Sequence, residues 1–142
     1  MEGRDSIHIP ITSDADIVIA RQQGRALAER IGFLATDQTL IATAISEVAR
    51  NIIKFAKRGV IVISPVLHNP KRGIVVVASD HGPGIPDISL AMQDGFSTGN
   101  GLGMGLPGCR RLMDEFDVKS DVGKGTTVTM KKWGPELGTE PR

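Results

Sequence analysis

The sequence predicts an α/β two-layer sandwich, a mixed, mainly antiparallel sheet covered by helices on one face. Three observations carry this. Two apolar-periodic helices lie between a first short strand and two valine- and isoleucine-rich strands. A glycine-rich stretch then leads into a third helix, and a closing hairpin follows. Strands and helices segregated in this way suit one sheet with its helices on one side.

Ile7, Ile9 and Ile11 alternate with polar neighbours and read as a strand. Pro10 places that strand at an edge, because proline cannot donate to a ladder. Ser13 or Asp14 can cap a helix whose positions Ile17, Ala20, Gly24, Leu27 and Ile31 step by three and four, with Gly32 as its stop. A second helix is expected from about Thr36 or Asp37 to Lys57, with Ile41, Ile45, Val48, Ile52 and Phe55 as its buried stripe. Val60–Leu67 and Ile74–Ser79 read as strands joined by turn signals at His68-Asn69-Pro70 and Gly73.

From His81 to Gly108 the chain is dense in glycine, and a short helix is expected within Ile88–Asp94. Leu102, Leu106, Cys109 and Met113 recur at helical spacing, predicting a third helix over about Met104–Asp114. Asp117–Asp121 and Thr126–Lys132 read as the closing hairpin. The tail 134–142 has no periodicity and is expected to be disordered, leaving one domain over 6–133.

Composition narrows the function classes. The 142 residues suffice for one core, with 40% apolar and 23% charged residues. A net charge of +1 gives no field for nucleic acid, and with 4% aromatics and no tyrosine a base-stacking platform is not expected. Cys109 is the single cysteine, which excludes an internal disulfide. Met1–Ser6 lacks the apolar core of a signal peptide, and no run reaches membrane-spanning length. A cytoplasmic protein with no membrane partner is expected.

Glu47 and Asn51 are four residues apart and share one side of the second helix, at the margin of its apolar stripe. As chemistry, Asn51 offers a carbonyl oxygen to Mg²⁺, and Glu47 can accept a proton from an attacking hydroxyl. As structure, the two form an ordinary surface pair, with Arg50 or Lys54 helping Glu47. Asp80 ends a strand beside Gly82 and Gly84. It is either a turn residue or an acceptor for the N6 amino group of adenine, a pairing that guanine cannot make. Gly99, Gly101, Gly103, Gly105 and Gly108 lead into a helix, which suits backbone amides aimed at phosphate. No P-loop motif occurs, and Gly103-x-Gly105-x-x-Gly108 lacks the preceding buried strand of a dinucleotide fold.

Glu47-x-x-x-Asn51, Asp80-x-Gly82-x-Gly84, Gly101-x-Gly103-x-Gly105 and Gly123-x-Gly125-Thr126 resemble, in order and spacing, the four boxes of the GHKL ATPase and kinase superfamily with its Bergerat-type fold. The segments around Glu47, Asp80, Phe96 and Gly101–Gly108 are further similar to its stressosome switch kinases, relatives of the anti-sigma factor kinases. The resemblance implies an ATP- and Mg²⁺-dependent serine/threonine protein kinase. It implies Glu47 as general base, Asn51 as Mg²⁺ ligand and Asp80 as adenine acceptor, with Gly82 and Gly84 shaping that pocket. Gly101, Leu102, Gly103, Met104 and Gly105 would cradle phosphate, Thr126 would support the base, and Phe96-Ser97-Thr98 would belong to a lid. STAS-domain scaffold and antagonist proteins are the implied substrates, and a phosphatase or other signalling enzyme the downstream partner. Sequestration of a sigma factor is the alternative. His8, His68 and His81 lie on no long preceding helix, so a histidine-phosphorylating sensor is not implied.

Overall fold

The structure, a computed structural model, describes residues 6–84 and 105–136. Its elements are β1 (Ile7–Ile11), α1 (Asp14–Ile31), α2 (Ala35–Ala56), β2 (Gly59–His68), β3 (Lys71–Asp80), α3 (Gly105–Leu112), β4 (Glu115–Asp121) and β5 (Gly125–Glu136). The five strands form one sheet in the order β1-β2-β3-β5-β4. Every pairing in it is antiparallel, so the expected mixed sheet is antiparallel throughout its described strands. Hairpins join β2 to β3 and β4 to β5, and neither needs a parallel crossover. Pro10 lies on the edge strand, as expected.

Side chains directly opposite in an antiparallel pair share a face. One row crosses the sheet through Ile9, Ile61, Ala78, Val128 and Val118. The next runs through Ile7, Ile63, Val76, Met130 and Phe116. These rows join the buried stripes of α1 and α2 in a single core. Within it Ile45, Ile61, Ile63 and Met130 have no exposed surface. Ile17, Ala20, Gly24, Leu27 and Ile31 are all buried, as their spacing predicted. A Cβ on Gly24 would sit 2.2 Å from Ile45 Cδ1, so the missing side chain lets α1 and α2 approach closely. Gly32, at φ 111°, ends α1 in the left-handed conformation that favours glycine.

Four expectations need correction. Phe55, expected in the buried stripe of α2, is 45% exposed, with the Lys54 ammonium 5.6 Å from its ring centre. It lies in the last turn, where Gly82 of the loop after β3 packs against the neighbouring Ala56 instead. Gly73 is not part of the β2–β3 turn. Only Asn69 and Pro70, joined by a cis peptide, separate the strands. Gly73 lies inside β3 at a register shift, where a Cβ would meet Lys132 O at 2.5 Å and Trp133 Cε3 at 2.9 Å. The third helix is shorter than its apolar spacing suggested, ending at Leu112 because Glu115 already starts β4. Finally, β5 runs past Lys132 to Glu136, so residues 134–136 belong to the sheet. The expected short helix within Ile88–Asp94 and the tail from 137 onward lie outside the described residues.

Lys132 belongs to the same face as Ile74, its partner, and its ammonium donates to Leu112 O at 2.9 Å. It thus satisfies a carbonyl at the C-terminal end of α3 and ties that helix to the sheet. On the other side, α3 is fixed by Leu106 and by Cys109, whose thiol donates to Ala44 O at 3.6 Å. Burial pushes the Cys109 thiol up to about 12, reinforced by the nearby charge of Glu47. A thiol so raised carries almost no thiolate at pH 8. Native protein at pH 8 is therefore expected to leave Cys109 unmodified by an aromatic disulfide reagent, with one equivalent reacting after denaturation. Rapid stoichiometric reaction of the native protein would contradict this packing.

Candidate nucleotide and phosphoryl-transfer site

The face covered by the helices ends in a row through Ile11, Gly59, Asp80, Thr126 and Ser120. Asp80 follows Ile74, Val76 and Ala78 in the alternation of β3, so its carboxylate leaves the sheet on the core side, at the core's last row. Gly59 opposite adds no side chain there, and a Cβ on it would meet Ser79 O at 2.5 Å and Ile52 Cγ2 at 2.9 Å. A half-buried carboxylate in this place has to be hydrogen-bonded. Asp80 Oδ1 accepts the N–H of Gly82 at 2.9 Å and that of Thr126 at 3.3 Å. Thr126 Oγ1 in turn lies 2.8 Å from Ser120 Oγ across the hairpin.

The loop after Asp80 is narrow on both sides. A Cβ on Gly82 would lie 2.6 Å from Ala56 Cβ and 2.9 Å from Ala56 Cα, so the loop runs directly against the end of α2. Gly84 has φ +82° and would press a Cβ to 2.4 Å from Asp121 O. Gly123 N donates to Pro83 O at 2.8 Å, which joins this loop to the β4–β5 turn. Gly125, at φ +117°, lies so close that a Cβ would come within 2.0 Å of Asp80 O. The boxes at Asp80–Gly84 and Gly123–Thr126, separate in sequence, form one structure.

Glu47 and Asn51 occupy one side of α2, one turn apart. Glu47 is buried at 8% exposure and Asn51 is half-buried, in line with their place at the stripe margin. Glu47 Oε1 accepts the N–H of Gly105, the first residue of α3, at 3.1 Å. Its Oε2 is paired with the Arg50 guanidinium. Spacing placed Arg50 on the polar strip beside Glu47, and the surface-pair reading is realised to that extent. The contact from Gly105 had no sequence signal, since 58 residues separate its partners. The strip of α2 from Glu47 to Ala56 spans about 14 Å at ~1.5 Å per residue. It connects the start of α3 with the Asp80 loop, so a nucleotide lying along it would reach both.

The donor set fits Mg-nucleotide. Asp80, Asn51 and Glu47 supply oxygens, Gly105 supplies a main-chain amide at a helix start, and Gly82 lets the Asp80 loop lie directly against α2. Among the described residues, no group of three or more His, Cys, Asp or Glu side chains could hold a metal by itself. Mg²⁺ held mostly by phosphate and water, through one protein oxygen, needs no such group. Gly101, Leu102, Gly103, Met104 and the segment Phe96-Ser97-Thr98 lie outside the described residues.

Comparison with known proteins agrees with this geometry. Residues 36–135 match the family model of histidine kinase-, DNA gyrase B- and HSP90-like ATPases. The chain is similar to the serine/threonine-protein kinase RsbT of Bacillus subtilis, at 51% identity over 91% of this chain and 97% of that protein. It is also similar to the anti-sigma F factor of Geobacillus stearothermophilus, at 33% identity over 91% of this chain and 92% of that one. Among solved structures, the RsbU and RsbW domains of Rv1364c from Mycobacterium tuberculosis match with a TM-score of 0.59 and 22% identity, over 94% of this chain and 34% of that longer chain. The chain belongs to the GHKL ATPase family and, within it, to the ATP-dependent protein serine/threonine kinases.

Gly82→Ala should separate the Asp80 loop from α2, because the backbone of Ala56 cannot yield as a flexible side chain would. A loss of roughly 1–3 kcal/mol in urea unfolding is expected. Unchanged stability would mean that the loop does not pack on Ala56.

Proposed function

We propose that this kinase transfers the γ-phosphate of ATP to a serine or threonine of STAS-domain scaffold and antagonist proteins in a stressosome. Once released from them, it activates a downstream phosphatase or other signalling enzyme, acting in the cytoplasm. The observation that carries the catalytic part is the buried Glu47 carboxylate, set at the start of α3 and on the same side of α2 as Asn51. The acceptor class rests on the resemblance to stressosome switch kinases and on the 51% identity to a serine/threonine-protein kinase.

In this reading Asp80 accepts the adenine amino group, with Gly82 and Gly84 shaping the pocket by letting the loop lie against α2 and the β4–β5 turn and Thr126 supporting the base. Gly101, Leu102, Gly103, Met104 and Gly105 hold the phosphates. Asn51 would hold Mg²⁺ through its side-chain oxygen, and the ion would supply charge neutralisation at the phosphates. Glu47 takes the proton of the acceptor hydroxyl as its oxygen bonds to the γ-phosphorus, and the bond to the ADP oxygen breaks. Positioning supplies most of the rate in such a reaction, so a buried base on a rigid helix suits it.

A second reading is favoured by the similarity to anti-sigma F factors: a nucleotide-regulated module that sequesters a sigma factor. One experiment separates the two. The protein is incubated with ATP, Mg²⁺ and STAS-domain proteins of its own organism, and the products are analysed by mass spectrometry. Phosphoserine or phosphothreonine on a STAS protein is expected. Unmodified STAS proteins, together with tight binding to a sigma factor, would replace the first reading by the second.

A further inference from the structure

Among the described residues, Glu47 has two donors, and they differ in kind. The Gly105 N–H belongs to the segment that the nucleotide reading assigns to phosphate. The Arg50 guanidinium comes from the same helix, one turn on, and holds the other carboxylate oxygen. The two donors cannot both remain in place during turnover if the Gly105 amide turns to phosphate. Oε1 then loses its partner, and Arg50 is the contact that still fixes the carboxylate. The Arg50 side chain is 49% exposed against 10% for Glu47, so this pair contributes little to stability. Its value lies in orientation. Arginine also suits the task chemically, because its planar guanidinium presents several donors in a fixed fork that matches a carboxylate.

We propose that Arg50 is a positioning residue for phosphoryl transfer: it holds Glu47 by Oε2, so that Oε1 can turn from the Gly105 amide to the proton of the acceptor hydroxyl. The inference rests on the reading of Glu47 as general base.

A residue acting through Glu47 should change turnover and leave nucleotide affinity alone. Arg50→Ala is expected to lower kcat for transfer to the protein acceptor by roughly 10- to 100-fold. Its Kd for ATP-Mg²⁺ by calorimetry should stay within about threefold of wild type, which also reports a folded protein. Arg50→Lys should recover part of kcat, since an ammonium supplies one donor but not the planar fork. Full kcat in Arg50→Ala would overturn the proposal. So would a weakened Kd at unchanged kcat, which would assign the guanidinium to the nucleotide. Glu47→Gln, measured alongside, separates the two levels. If it abolishes transfer while Arg50→Ala does not, Glu47 is the base and only the role of Arg50 fails. If Glu47→Gln transfers at the wild-type rate, the base assignment falls and the proposal with it.

Discussion

A single oxygen, Asp80 Oδ1, joins three parts of the chain by accepting the amides of Gly82 and Thr126. It fixes the end of β3, the loop that follows and the start of β5 at the place where the core gives way to the candidate site. Both bonds are made by main-chain donors and a carboxylate, the stronger class of hydrogen bond in a protein. The surrounding glycines follow from this constraint. Gly59 leaves the row open beside the carboxylate, Gly125 lies against the Asp80 carbonyl, and Gly82 rests on Ala56. A side chain at Gly82 or Gly125 would force the segments held by the carboxylate out of place, and one at Gly59 would press on Ser79 O and Ile52.

The same economy of contact continues along α2. Its apolar stripe is packed into the core, and its margin brings Glu47 to the start of α3, with Asn51 one turn further along. Lys132 and Cys109 secure α3 from the sheet and from α2 respectively. Gly105 is thereby presented to Glu47 by a short helix that is anchored on two sides. Glu47 is thus held between two helices, which suits the positioning role proposed for it.

Much of this was legible in the sequence where one residue type has one physical use. Pro10 marked the edge strand, Gly32 the end of α1, and the three- and four-residue steps of α1 its buried face. Glu47 and Asn51 could be placed on one side of a helix from spacing alone. Phe55 misled, because periodicity cannot tell whether the last turn of a helix still has a layer beneath it. Gly73 misled for a related reason: a glycine near a turn looks like part of it, while its real cause is the approach of Trp133 from a strand 60 residues away. The Gly105–Glu47 bond and the merging of the two glycine boxes around Asp80 are long-range contacts with no local signature. The family resemblance implied that the boxes cooperate, but it did not carry the hydrogen bonds by which they do so.

The most direct test of the account is the affinity of Asp80→Asn for ATP-Mg²⁺ by calorimetry. Asparagine keeps an Oδ1 acceptor for the Gly82 and Thr126 amides, so the loop and the melting temperature should be preserved. It replaces the second carboxylate oxygen by an amino group, which would face the adenine amino group donor to donor. Binding at least about 100-fold weaker than wild type is predicted, the equivalent of losing and opposing one charged hydrogen bond. Wild-type affinity in a variant with unchanged melting temperature would contradict the placement of adenine at Asp80, and with it the site as a whole.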